Sequence, residues 1–261
     1  MTSWEFPGSD PIEIMIDIAA GSVTVSAEPV EVTTVILEAS GRDGTQLLEH
    51  VKVTFSEGRL EIIEPRNRSQ SGLEVTVTAP AGSSCAAHAA SADVSCLGTL
   101  AELEVRTASG EVTAESVTGP VEVKTASGDV WLERAGATAQ VNTASGDIQL
   151  REAAGDVSAH TASGDVAIGQ AAASVRAETA SGDVQVGRAT AGEVSVKTAS
   201  GDVRVGVAAG VGVYLDLSSL TGNISNQLDE TGASDDVRLQ VSCRTVTGGI
   251  RITRAAPVPA G

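Results

Sequence analysis

Aromatic and positively charged residues are scarce in this sequence of 261 residues. Phe, Trp and Tyr make up 2% of it, and 17 Lys and Arg residues stand against 34 Asp and Glu residues, giving a formal net charge of -17. Nucleic acids and anionic lipids are bound through clustered Lys and Arg side chains that displace counterions. The charge therefore argues against nucleic acid as a direct partner and favours solubility.

Membrane and export signals are also missing from the sequence. It contains no apolar run of about 18 residues, the length that a spanning helix needs. Its first residues, MTSWEFPGSDPIEIM, lack a basic segment followed by an apolar one, the pattern of a secretory signal. We therefore expect no direct membrane insertion and a cytoplasmic location.

Cysteine is rare, with only Cys85, Cys96 and Cys243. An odd number without CxxC spacing indicates neither a disulfide framework nor a zinc site. We expect the three to be small buried hydrophobic residues. A Cys85–Cys96 disulfide is the alternative.

What the sequence does contain is an internal repeat. The string TASG begins at Thr107, Thr125, Thr143, Thr161, Thr179 and Thr198, with four intervals of 18 residues and one of 19. Degenerate copies precede it around Ala89 and follow it around Ser219 and Thr245. Such a period is the signature of a repeat architecture, here with about nine coils.

Two pairs of apolar columns run through the aligned copies, and varied polar residues separate them. One pair begins at Val130 and Leu132 and recurs as Ile148 and Leu150, whereas the other begins at Val121 and Val123. Alternation with period two predicts two short strands per coil. An 18-residue unit cannot close a core alone and has no helical stripe, so its copies must stack.

The sequence thus predicts an all-β fold, a single-stranded parallel β-helix (β-solenoid) of about 18 residues per coil. We expect it to be right-handed, because the six-residue sub-repeat typical of left-handed β-helices is not visible. Residues 1–79 are rich in strands but lack the period, which predicts a cap and irregular first coils. Residues 80–254 form the repeats, and we expect residues 255–261 to be a disordered tail.

The sequence resembles a known family, the bacterial putative-adhesin β-strand repeat proteins, which are catalogued as a domain of unknown function. The resemblance lies in Ile14–Val25 (IMIDIAAGSVTV), in Val75–Pro80 (VTVTAP) and in the repeated T-x-S-G-D-V. It implies a β-solenoid and an indirect link to envelope-stress systems. It implies no specific biochemical activity.

An aspartate follows the TASG string in five coils: Asp129, Asp147, Asp165, Asp183 and Asp202. Neighbouring carboxylates about 4.8 Å apart repel each other by roughly 0.9 kcal/mol in water. A cation ladder is one interpretation, since Ca²⁺ prefers carboxylate oxygens. We favour the other, in which each carboxylate accepts hydrogen bonds from turn N–H groups and no metal is bound.

Threonines and serines form a second polar ladder, which could be a flat hydroxyl array like those of ice-binding solenoids. If the strand continues straight from Val123, however, Thr125 and Ser127 share its inward face. We therefore expect an internal ladder of hydroxyl groups in both columns.

No catalytic constellation is evident. His50, His88 and His160 are far apart, and P-loop, GxSxG and HExxH motifs are absent. His160 lies in an outward column and is expected to be an ordinary surface residue. We expect no enzyme activity and no cofactor.

The leading hypothesis is a non-enzymatic structural or interaction module that binds an unknown protein partner or a second copy of itself. The alternative is a carbohydrate-binding or carbohydrate-active β-helix protein. Such a protein would need a row of exposed aromatic side chains, for which only Trp4, Phe6, Phe55, Trp131 and Tyr214 are available. Ice binding is a minor alternative.

Overall fold

The computed structural model describes residues 1–41, 44–65, 72–228 and 237–256, and the chain divides into two compact units, residues 1–131 (unit 1) and 132–261 (unit 2). Among the described residues, the regular structure is β-strand except for one short helix, α1 (Gly44–His50). The predicted fold class is confirmed, since the chain is an all-β solenoid. Its predicted right-handedness stays a prediction.

The strands fall into two groups by the unit in which they begin. Those of unit 1 are β1 (Thr2–Pro7), β2 (Glu13–Glu28), β3 (Val32–Ser40), β4 (Lys52–Ser56), β5 (Arg59–Ile63), β6 (Gly72–Pro80), β7 (Ser84–Leu100), β8 (Glu102–Ser109), β9 (Val112–Val117), β10 (Val121–Lys124) and β11 (Val130–Ala135). Those of unit 2 are β12 (Ala139–Asn142), β13 (Ile148–Ala153), β14 (Val157–His160), β15 (Val166–Ala171), β16 (Val175–Ser181), β17 (Val184–Ala189), β18 (Gly192–Ser200), β19 (Val203–Val207), β20 (Gly212–Ser219), β21 (Ile224–Gln227), β22 (Val237–Thr247) and β23 (Ile250–Arg254).

In unit 2, corresponding strands of successive repeats pair in parallel. Strands β12, β14, β16 and β18 form one ladder, and β13, β15, β17 and β19 form the other. Val157 on β14 pairs with Val175 on β16, one repeat later. Each coil therefore contributes two strands, as the sequence predicts.

The apolar columns form the core between the two ladders. Val166 and Ile168 on β15 are each 1% exposed, and Ala177 on β16 is fully buried. Because successive side chains of a strand point to opposite faces, the residues between them face solvent. Burying one Val or Ile side chain contributes about 1.5–3 kcal/mol to stability. Because the coils stack, the same contribution is made again in every coil.

In unit 1, β2 forms a complete coil by itself. It pairs in parallel with β7 along nearly its whole length, and its other edge pairs in parallel with β5 and then β6. The chain direction then reverses, because β4 is antiparallel to β5, β3 to β6 and β1 to β3. This reversal ends the parallel stack.

The predicted division at residues 79 and 80 stays a prediction. Residues 257–261 of the expected tail lie outside the described residues.

The last coils of unit 2 do not follow the order of the sequence. Strand β22 lies between β18 and β20, and β23 lies between β19 and β21. Val241 of β22 thus pairs with Val194 on one side and Leu215 on the other. After β19 the chain therefore skips one coil position and forms β20 and β21 one position further along. It then returns, and β22 and β23 occupy the skipped position.

Candidate functional site

The aspartate ladder of unit 2 binds the backbone of the next coil. The Oδ1 atom of Asp147 accepts a hydrogen bond of 2.8 Å from the backbone N–H of Asp165. The Oδ1 atom of Asp165 in turn accepts one of 2.7 Å from the N–H of Asp183. In the same way, Asp183 accepts a hydrogen bond from the N–H of Asp202, and Asp202 accepts one from the N–H of Gly249, each at 2.8 Å. Each carboxylate therefore holds the turn of the next coil in place.

These contacts offset the repulsion within the ladder. A hydrogen bond to an ionised acceptor is stronger than one between neutral groups. The guanidinium of Arg204 also contacts both Asp183 and Asp202 at 3.3 Å. In unit 1, Asp129 is exposed, and its backbone carbonyl accepts the N–H of Val112 at 2.9 Å.

The geometry fits the structural interpretation of the ladder, while the cation ladder stays untested. In the part of the chain that the structure describes, no three His, Cys, Asp or Glu side chains group closely enough to hold a metal ion.

The threonine column faces inward, as expected. The hydroxyl groups of Thr161, Thr179 and Thr198 each donate to the carbonyl oxygen of a turn glycine one coil earlier, at 3.3 Å. These threonines are only 6–7% exposed. They link one coil to the preceding one.

For the serine column, the expectation of an inward face is wrong. The serines of this column, Ser127, Ser145, Ser163 and Ser181, are exposed. The inward–outward alternation ends at the threonine, because in β16, which runs to Ser181, both residues after Thr179 are exposed, and the chain bends at the following glycine. Gly182, with φ +151°, shows why glycine is needed there, since a Cβ atom would overlap the carbonyl oxygen of Gly164.

A pocket of unit 1 contains a buried carboxylate that sequence reasoning missed. Glu64 is 4% exposed, and its Oε2 atom accepts a hydrogen bond of 2.6 Å from the N–H of Ala19. It follows Leu60 and Ile62, which are fully buried. The signal was therefore present in the sequence as a Glu in the inward register of an apolar strand.

The pocket around Glu64 has a volume of about 630 Å³ and an apolar floor made by Ile18, Ala19, Ala89 and Ala90. Its wall is a row of outward residues on neighbouring strands, which pair in the order Asp17, His88, Arg106 and Lys124.

Most of the cations in this wall are neutralised by adjacent carboxylates. Arg106 lies 2.9 Å from Glu104, and Lys124 forms an ion pair with Glu122. The Nε2 atom of His88 lies 3.4 Å from Glu104.

Burial raises the pKa of Glu64, and the nearby charge of Asp17 adds to this, against the hydrogen bond from Ala19. A cation entering the pocket would stabilise the ionised form of Glu64. The site can therefore accept a group with an apolar stem and a positively charged end.

In unit 2, His160 lies in a polar cluster rather than alone on the surface. Its Nε2 atom is 3.0 Å from the Ser158 hydroxyl, and its Nδ1 atom is 3.4 Å from Glu178. Glu178 also binds Arg176 at 2.7 Å and Lys197 at 3.2 Å. Burial opposes its ionisation, but the hydrogen bond from Lys197 and the neighbouring cations outweigh burial and lower its pKa.

The order serine, histidine, carboxylate is that of a catalytic triad. Here, however, the carboxylate is shared among three cationic or titratable groups. The cluster thus resembles a surface ion-pair network more than a nucleophile with a dedicated base.

The three cysteines are buried and free, as expected. The side-chain hydrogen bond with Cys85, followed by burial, raises the pKa of Cys96. Burial raises the pKa of Cys243 to about 12, and the charge of Asp216 adds to it. Cys96 and Cys243 are therefore unsuited to nucleophilic chemistry, which needs the thiolate.

The aromatic side chains do not form a binding row in either unit. Phe6 and Phe55 stack on each other with ring centroids 4.8 Å apart. Trp131 on β11 is separated from Trp4 on β1 by several strands of the ladder. Tyr214, 58% exposed, lies in unit 2.

The family model "Toastrack DUF4097" matches residues 12–252. No curated protein matches the sequence. Among the described residues, no helix has the length and apolar character required to cross a membrane.

Solved structures to which this chain is similar include two putative adhesins. That of Bacteroides fragilis is 14% identical, with 96% of each chain covered and a TM-score of 0.48. That of Parabacteroides merdae is 10% identical, with 97% of this chain and 96% of the other covered and a TM-score of 0.41. A putative lipid binding protein from Parabacteroides distasonis is 13% identical over 97% and 96% of the two chains, with a TM-score of 0.33.

Proposed function

The chain belongs to the Toastrack family, as residues 12–252 match its model, and we propose that it is a non-enzymatic scaffold for protein interactions. The observation that carries this proposal is that the repeated polar side chains form contacts between coils. In unit 2 the Asp of each TASGD block binds the neighbouring coil, as in the bond between Asp165 and Asp183. The Thr side chains of the later blocks do the same, as in the bond from Thr179 to Gly164. The residues left for function are those that differ from coil to coil.

Outward columns supply such variation on both units. In unit 2, the residues aligned with His160 on neighbouring strands are Asn142, Glu178 and Lys197. In unit 1, the corresponding row runs from Asp17 to Lys124. Charges arranged in a fixed pattern on a rigid surface favour one partner over others.

The pocket around Glu64 is the site where we expect a partner to dock. Its apolar floor and its buried carboxylate fit the stem and the charged end of a Lys or Arg side chain. A partner with a basic surface also complements the net charge of -17.

Binding is tested by capturing partners on the immobilised chain, followed by titration calorimetry with each purified partner. The Glu64→Gln variant keeps a carbonyl oxygen for the N–H of Ala19 and should bind at least tenfold more weakly. Gln149→Glu, an exposed change in unit 2, is the matched control. A partner that binds both variants equally docks elsewhere, and a chain that captures no partner contradicts the scaffold.

The absence of enzyme activity is tested at Ser158. We expect hydrolysis of 4-nitrophenyl acetate to be equal for the wild type and for Ser158→Ala. A rate that falls with this substitution and follows the deprotonation of a histidine would assign a hydrolase instead.

The cytoplasmic location and the indirect link to envelope-stress systems stay proposals. Cell fractionation tests the first, and the identity of captured partners tests the second.

A further inference from the structure

The coil formed by β20 and β21 has an unpaired edge within the described residues. Strand β20 pairs with β22 and β21 pairs with β23, and no other described strand pairs with either. Along such an edge, alternate backbone N–H and C=O groups have no ladder partner. An open edge is a template for pairing with another chain.

The apolar columns of unit 2 continue into this coil, where their last side chains are partly exposed to solvent. Leu215 pairs with Val241, which is fully buried, but Leu215 itself is only half-buried. Ile224 is 41% exposed, whereas its partner Ile250 is 1% exposed. Apolar surface therefore lies directly beside the unpaired backbone.

Charges that would block pairing are nearly absent from this edge. The only charged residue of β20 and β21 is Asp216, which forms an ion pair with Arg244 at 3.4 Å. The edge strands of unit 1 differ, because β1 ends in Pro7 and β4 begins with Lys52. Proline and lysine are residues that protect natural sheet edges.

We propose that two copies of the chain associate through β20 and β21 about a two-fold axis, each edge strand pairing antiparallel with its own copy. The proposal rests on the interaction function above and identifies the second copy as one partner. Strands β20 and β21 border one core, so a partner that pairs with both must have the same coil cross-section. A second copy of this coil meets that condition by construction.

The sequence of β20 selects a self-complementary register. When β20 pairs antiparallel with β20 of a second copy about a two-fold axis, the two strands overlap over the most residues if either Leu215 or Asp216 lies at the axis. Asp216 at the axis would place two carboxylates opposite each other, which is unfavourable. With Leu215 at the axis, Val213 faces Leu217 of the copy, and Tyr214 faces Asp216 of the copy, so that its hydroxyl can donate to the carboxylate.

Light scattering after size-exclusion chromatography, over a series of concentrations, tests this dimer with the full chain. We expect the mass to approach twice that of the monomer as concentration rises. Tyr214→Asp would place carboxylates opposite Asp216 of the copy and should raise the dissociation constant at least tenfold, whereas Tyr214→Lys should lower it. Because Tyr214 is 58% exposed, neither change should disturb the monomer fold.

Gln185→Asp is the matched control, since it adds the same charge at an exposed position of β17 and should leave the dimer intact. A wild type that stays monomeric throughout, or a dimer that Tyr214→Asp does not weaken, overturns the proposal. A monomer that still binds a partner at the Glu64 pocket would overturn this proposal alone and leave the scaffold standing.

Discussion

The Oδ1 atom of Asp165 accepts a hydrogen bond of 2.7 Å from the backbone N–H of Asp183, one coil further along the chain. The same bond recurs between successive aspartates of unit 2. A repeated side chain that is typical of cation sites thus serves as the acceptor for a turn. Asp165→Ala removes this acceptor, and because the site is exposed we expect a loss of about 1 kcal/mol in the free energy of unfolding.

Asp165→Asn is the control for that prediction, since it keeps an oxygen acceptor but removes the charge. Urea unfolding should place it between the wild type and the alanine variant. Equal stability of the wild type and Asp165→Ala would show that the hydrogen bond contributes nothing.

The turn glycine is tested by Gly182→Ala. Its Cβ would overlap the carbonyl oxygen of Gly164, so we expect a loss of about 3 kcal/mol or more from strain and overpacking. Gly8 has a similar φ of +153°, but a Cβ atom at that position would have no neighbouring atom within 4 Å. Gly8→Ala therefore carries only the backbone cost, and thermal unfolding should show it to be much less destabilised. Equal losses would mean that close coil contact is not what requires glycine.

Stability should depend on pH through Glu64. Its folded-state pKa is raised above the ordinary carboxyl value of 4.5, chiefly by burial. The protonated carboxyl therefore favours the folded state at pH below 4.5, and this contribution is lost as the pH rises through the folded-state pKa.

Glu64→Gln cannot ionise, so its stability relative to the wild type should increase from acid to neutral pH. Denaturant unfolding of both proteins across that pH range measures the difference. A difference that does not change with pH would contradict a raised pKa for Glu64.

The order of the last coils can be tested with introduced cysteines. Ser195 on β18 pairs with Ser242 on β22, and Ser242 pairs in turn with Asp216 on β20. Mild oxidation should cross-link Ser195→Cys with Ser242→Cys, because neighbouring strands bring the Cα atoms within disulfide range. Ser195→Cys with Asp216→Cys should stay reduced, since a strand lies between them. If Ser195→Cys instead cross-linked with Asp216→Cys and not with Ser242→Cys, β20 would lie beside β18, and the strands would follow their order in the sequence.

The regular parts of this fold could be predicted because each coil repeats the same physical requirement. Columns such as those of Val166 and Ile168 must be apolar in every copy, so aligned repeats reveal the inward face. The inward position of Thr179 followed from the same alternation.

The irregular parts depend on choices between nearly equivalent contacts. Val194 could pair with Leu215 or with Val241, since both lie in alternating apolar strands, so the apolar pattern alone does not choose between them. The outward position of Ser181 depends on the conformation of the turn, which a straight-strand assumption ignores. Glu64 was predictable in principle, but without a fixed period in residues 1–79 no column exposed it as unusual.

We expect the Asp ladder to stabilise the solenoid without a metal ion, and thermal unfolding of the full chain with calcium and then with chelator tests this most directly. Any cation that binds only the folded state would raise the melting temperature. We predict the same melting temperature in both conditions, for the wild type and for Asp165→Asn alike. A rise with calcium that Asp165→Asn abolishes would contradict this account and make the ladder a cation site.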